Sequence, residues 1–281
     1  MTMTDMITMQ SSPDWAIKKA LLAILAVFTL AICFAGVAAA HPEDEFCLPG
    51  GEIDPALCRA LQEIDRAGPV IRTTPDGTVL PELDLDRPWQ DTLGLYVKIG
   101  VDHILPGGTD HILFVLALVL STRRLKSLAL QISAFTLAHT LTLGLAATGV
   151  ISPAASVVEP LIALTIALVA IEVIFFKEPP RWRLPVVVLF GLIHGMGFAG
   201  FFSSLGLPQG QFLSALAGFN IGVEIGQLVV AAVAGVVLWF ARKALSGVER
   251  EAYFRPGIII PASLGVSAIG ALWFVERVAG V

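Results

Sequence analysis

The chain is 281 residues long, 56% hydrophobic and only 15% charged, with a formal net charge of −5 and a mean hydropathy of +0.80. Apolar runs of spanning length recur along it, so the expected fold class is an all-α integral membrane protein. The acidic balance, with no stripe of bases and interleaved aromatics, excludes nucleic acid as a partner.

Residues 1–40 are expected to be a cleavable signal peptide. Lys18 and Lys19 precede an apolar run from Ala20 to Val37, and Ala38-Ala39-Ala40 offers a small-residue cleavage site before His41. An uncleaved first transmembrane helix is the alternative, because the run is close to spanning length. Cleavage removes Cys33 and leaves Cys47 and Cys58 in the exported segment, as a disulfide or, in the alternative, a metal-binding pair.

From His41 to Thr92 there are twelve acids against four bases. This makes 41–92 an acidic periplasmic segment, whose one predicted helix runs from Pro55 to Arg66 behind Asp54. Its core is too small to stand alone, so it leans on the membrane domain, 93–281.

That domain is organised around His103 to His111, His-Ile-Leu-Pro-Gly-Gly-Thr-Asp-His. Leu93 to Leu105 has helical spacing, as an interfacial helix or as the outer half of a discontinuous span. Thr109 to Leu120 continues inward past a Pro-Gly-Gly break, which survives at membrane depth only against protein or a water-filled cavity. Further spans are predicted at Ser127–Ala147, Pro153–Phe176, Leu184–Leu205, Phe212–Ala241 and Gly257–Val275, about six transmembrane helices after the signal.

Arg123, Arg124 and Lys126 follow the first span. Lys177, Arg181 and Arg183 follow the third; Arg242, Lys243, Arg250 and Arg255 follow the fifth. The alternate loops carry no Lys or Arg. The basic loops are therefore expected in the cytoplasm, with the mature N-terminus and the C-terminus both periplasmic.

Ionisable residues inside such a domain are costly and mark function. The candidates for metal ligation are His103, Asp110, His111, His139, His194, Glu224 and Glu159, N/O donors of the kind divalent transition metals take. Each has a structural alternative. Thr136 or Thr140 could satisfy His139, and Glu224 could join helices through polar partners. Glu172 stands apart, near the cytoplasmic end, where it snorkels or pairs with a loop base. Gly218, Gly222 and Gly226 form a small-residue ridge suited to close helix packing.

Five segments carry a family resemblance: His103-Ile-x-Pro-x-Gly-x-Asp-His-Ile-Leu-Phe114, Phe135-Thr-x-Ala-His-Thr-x-Thr-Leu143, Val158-Glu-x-x-Ile-Ala163, Phe190-Gly-x-Ile-His-Gly-x-Gly-Phe-Ala199 and Phe219-Asn-x-Gly-Val-Glu-x-Gly-Gln-Leu228. Together they resemble the HupE/UreJ family of membrane proteins, and its second branch in particular. The resemblance implies a nickel or cobalt permease of the bacterial cytoplasmic (inner) membrane, with Asp110, His111, His139, His194 and Glu224 as functional residues.

On this reading the metal is substrate, gathered by the exported carboxylates, received at His103, Asp110 and His111, and relayed by His139, His194 and Glu224. The absence of membrane cysteines argues against a thiolate path for copper(I). A membrane-embedded zinc metalloenzyme, a hydrolase with Glu224 as base, is the alternative. A periplasmic metal-sensing or delivery protein using His41 is a third. The partners implied are the metal ion and the lipid bilayer, with a homo-oligomer or a metalloenzyme-maturation protein as further candidates.

Overall fold

The computed structural model describes residues 88–197, 210–245 and 253–280; the expected signal peptide, nearly all of the acidic segment and the Cys47–Cys58 pair lie outside the described residues. Within them every regular element is helical. In chain order these are α1 (Trp89–Ile104), α2 (Thr109–Ser121), α3 (Leu125–Ala147), α4 (Ala155–Phe175), α5 (Arg183–Gly197) and α6 (Phe212–Ala244). A π-helical turn, Arg255–Ile259, then runs into α7 (Ile260–Ala279).

Helices α3, α4, α6 and the continuous stretch Arg255–Ala279 are each long and apolar enough to cross a membrane, and α1 with α2 adds a fifth candidate as a pair bent by 73°. The chain is thus a multi-pass membrane protein, all-helical and with four to five candidate spans among the described residues, where six were expected. The difference lies in α5, an apolar helix of 15 residues, which at 1.5 Å per residue reaches roughly 22 Å against a hydrocarbon core of about 30 Å. The remainder of the span expected there, 198–209, lies outside the described residues.

Three helix pairs carry the packing, α1 with α6, α3 with α5 and α4 with α7, and glycine lies at each contact. A β-carbon on Gly218, Gly222 or Gly226 of α6 would come within 2.4 Å of the Leu93 carbonyl, 2.1 Å of the Val97 carbonyl and 2.7 Å of the Ile104 Cβ. The ridge expected on α6 is therefore the groove in which α1 lies. On α5, a β-carbon at Gly191 or Gly195 would meet the carbonyls of Phe135 and His139 at 2.5 and 2.0 Å. Gly270 of α7 plays the same part against Ala163 and Ala167 of α4. Without a hydrophobic drive between helices in lipid, such close backbone approach supplies the dispersion contacts that hold them.

Inside these pairs sits α2. Its residues Ile112, Leu113, Phe114, Val115, Ala117, Leu118 and Val119 are all buried, and a helix apolar all round belongs to a core. At 13 residues it is about 20 Å long, too short to span alone. It hangs from α1 through Leu105–Gly108, where Pro106 has no N–H to continue the helix and the Leu105–Pro106 peptide is cis. A side chain on Gly108 would strike the His103 carbonyl at 2.5 Å, so only glycine lets the chain double back this closely.

The basic loops meet at one end. Arg124 lies 3.8 Å from Glu178, Arg123 stacks over the Phe254 ring at 5.6 Å, and Arg255 donates to the carbonyls of Val173, Ile174 and Phe176. At the opposite end Thr92 hydrogen-bonds Gln211, and Arg277 donates to the Glu159 carbonyl at 3.0 Å.

Candidate functional site

The break between α1 and α2 brings two histidines together. His103 closes the last turn of α1 and His111 opens the first turn of α2; the bend folds them face to edge, with ring centroids 4.9 Å apart. His139 reaches the same point from α3, 5.4 Å from His111 and 6.3 Å from His103. His194 arrives from α5 on the far side of His111, at 5.3 Å. Four histidines from four helices thus share one cluster with His111 at its centre.

Donor atoms of His103, His111 and His139 all lie within 4.8 Å of one another. Two imidazole nitrogens on opposite sides of an ion with bonds of about 2.1 Å stand at most about 4.2 Å apart. A spread of up to 4.8 Å therefore brings the three donors near, but not to, the spacing of nitrogens that share one ion. Asp110 adds a carboxylate: its Oδ1 accepts the His111 backbone N–H at 3.1 Å and stands 3.3 Å from His111 Nδ1. That is longer than a well-formed charge-assisted bond of about 2.8 Å, so the carboxylate attracts a cation without tying up the ring.

The surroundings are aromatic. Phe135 and Phe219 lie nearly parallel to His139, at 23° and 21°, and Phe114 stands 5.5 Å from His194. Both nitrogens of His139 are buried with no hydrogen-bond partner among the described residues. The threonines that might have satisfied it are engaged elsewhere: Thr136 donates to the Ile132 carbonyl and faces Gln227, and Thr140 does the same with the Thr136 carbonyl and Asn220. A buried imidazole without a partner costs free energy unless something else uses its lone pair. The structural alternative for His139 therefore has no support here.

Thr165 of α4 completes the arrangement on the His194 side, its hydroxyl 2.8 Å from His194 Nε2. Sequence reasoning missed it, since a single threonine in an apolar helix carries no signal of its own. It missed Gly191 and Gly195 as well. These bracket His194 at i−3 and i+1 and let α5 approach α3 closely enough to bring His194 beside His111.

The remaining candidates lie apart. Glu224 of α6 accepts the Ser133 hydroxyl of α3 at 2.5 Å, one rung of a ladder completed by Thr136–Gln227 and Thr140–Asn220. This contact is an interhelical one, and the set of mutually close donors contains no carboxylate of α6. Glu159 sits half-buried near the N-terminal end of α4, its carbonyl held by Arg277. Glu172 pairs with Arg183 at 2.8 Å, both buried, as expected of a residue held apart from the site.

The family model described as HupE / UreJ protein matches residues 81–277 of the chain. No curated protein and no solved structure matches it.

Proposed function

Since the chain belongs to the HupE/UreJ family, we propose that it is a permease for a divalent transition metal, nickel or cobalt, in the bacterial cytoplasmic membrane. The observation that carries this reading is the meeting of His103, His111 and His139 within 4.8 Å at a broken helix. Imidazole nitrogen is a donor for nickel, cobalt and zinc and a poor one for magnesium or calcium. A discontinuous helix near the middle of a bundle is also where transporters build ion sites.

The cation arrives from the periplasmic side, drawn by the acidic segment 41–92. It is desolvated against Asp110 and His103, and held by His111 and His139. His194 lies beyond His111 and takes the ion next. Glu224 and the hydroxyl and amide oxygens along α3 and α6 line the onward route. Separate, moderately strong stations let an ion leave as well as enter, which conduction requires. Glu159, at the outer end of α4, adds to the attraction at the mouth.

The test is nickel and cobalt accumulation in cells expressing the His139→Ala or His194→Ala protein. Loss of uptake at normal membrane abundance supports the proposal, and unchanged uptake overturns it. Stoichiometric zinc retained through purification, with no ion flux into liposomes, would favour the zinc metalloenzyme instead.

A further inference from the structure

Of the three rungs between α3 and α6, two join half-buried side chains, Ser133 with Glu224 and Thr140 with Asn220. The third, Thr136–Gln227, is wholly inside the bundle, with Thr136 1% and Gln227 0% exposed. Thr136 precedes His139 by one turn of α3. Side chains on a helix lean toward its start, so the His139 ring leans toward this rung, in keeping with its stacking on Phe135. Gln227 follows Gly226, the glycine packed on Ile104 next to His103.

Counting hydrogens decides which end of the Gln227 amide meets Thr136. Thr136 Oγ1 stands 2.9 Å from the Ile132 carbonyl and 2.8 Å from the amide. The far end of the amide is buried, with no hydrogen-bond partner among the described residues. The two ends are alike in shape, so the network assigns them. With the oxygen at Thr136, the single hydroxyl hydrogen serves one of two acceptors and both amide hydrogens are stranded. With the nitrogen there, the amide donates to Oγ1 and the hydroxyl donates to the Ile132 carbonyl. Two bonds then form instead of one, which favours this arrangement and turns Oε1 to the far side. A buried carbonyl oxygen that meets no donor is costly unless something else uses its lone pairs.

We propose that Gln227 is a further ligand of the cation, its Oε1 adding one neutral oxygen to the imidazole nitrogens beside His139, with Thr136 as the residue that positions the amide. The proposal rests on the reading that a transition-metal ion occupies the histidine cluster. An amide oxygen holds nickel or cobalt less firmly than imidazole does. That suits a donor from which the ion must be passed on.

The full chain, purified in detergent, is titrated with nickel chloride, and the same protein is reconstituted into liposomes for nickel flux. Gln227→Met, similar in length but without an oxygen, should weaken nickel binding by roughly tenfold. Thr136→Val breaks the same rung but leaves the oxygen in place, so it should weaken binding measurably less. Gln227→Glu puts a carboxylate where the neutral oxygen was, and should tighten binding several-fold while slowing flux. If the methionine variant does not accumulate, the glutamate variant decides. Equal losses in Gln227→Met and Thr136→Val would make the rung a structural tie and overturn the proposal. Binding by Gln227→Glu no tighter than the parent's would overturn it too. The expected binding pattern without flux in parent liposomes would uphold the ligand and overturn the permease, and a parent protein that binds no nickel would overturn both.

Discussion

Thr165 hands its hydroxyl proton to the Ile162 carbonyl at 2.7 Å and meets His194 Nε2 at 2.8 Å. A hydroxyl has one hydrogen; when the carbonyl takes it, the hydroxyl offers the ring a lone pair and Nε2 carries the proton. The bare nitrogen of His194 is then Nδ1, which is buried and has no hydrogen-bond partner among the described residues. Thr165 is a positioning residue for the ring. Thr165→Val, close in shape but with no oxygen, frees the ring to flip or change tautomer. Losing such a partner of a metal-binding histidine weakens affinity by about 10- to 100-fold. Nickel uptake at limiting concentration should drop about tenfold, with Thr165→Ser largely restoring it.

Selectivity should follow from imidazole. Cobalt in excess should compete with labelled nickel for uptake, whereas magnesium and calcium, which demand oxygen donors, should not compete at comparable concentration. Effective competition by magnesium in an uptake assay would point to an oxygen-lined path that bypasses the histidines.

The α1–α6 contact predicts a sharp contrast between two glycines. Gly222 lies where a β-carbon would stand 2.1 Å from the Val97 carbonyl, whereas Gly94 has nothing within 4 Å. Gly222→Leu should push the helices apart at a cost of about 1–3 kcal/mol or more, read as a lower unfolding midpoint of the detergent-purified protein. Gly94→Ala should be neutral or slightly stabilising, because alanine is the better helix former by about 1 kcal/mol.

The buried pair Glu172–Arg183 should be unforgiving of single changes. Removing one partner leaves an uncompensated charge and costs about 3–5 kcal/mol, so Glu172→Ala and Arg183→Ala should each lower membrane abundance severely. Replacing both with apolar residues of similar size should recover much of it. Expression levels of the two single variants and the double variant decide the matter.

Much of this was legible in the chain. The apolar runs located α3, α4, α6 and α7 to within a few residues. The spacing of Gly218, Gly222 and Gly226 announced a packing ridge, and Pro106-Gly107-Gly108 announced a break. What periodicity does not encode is direction. Nothing local tells that α2 turns by 73° into the middle of the bundle, or that α5 stays short within the described residues. Glu224 was grouped with the histidines on residue type and on the motif Phe219 to Leu228 that carries it. The structure sets it against Ser133, a pairing that depends on how α3 and α6 cross. Thr165 was invisible for the same reason, its meaning arising only when α5 lies against α4.

The backbone contact of Gly195 with the His139 carbonyl fastens α5 to α3, while the α6 glycines fasten α1 to α6. The four imidazoles therefore come from two glycine-braced helix pairs, His139 and His194 from one and His103 from the other, with His111 between them, and the α3–α6 ladder of Ser133–Glu224, Thr136–Gln227 and Thr140–Asn220 ties the two pairs together. Any slide of one pair past the other must stretch those rungs, so on the proposed function their removal should loosen the grip on an ion without touching a histidine.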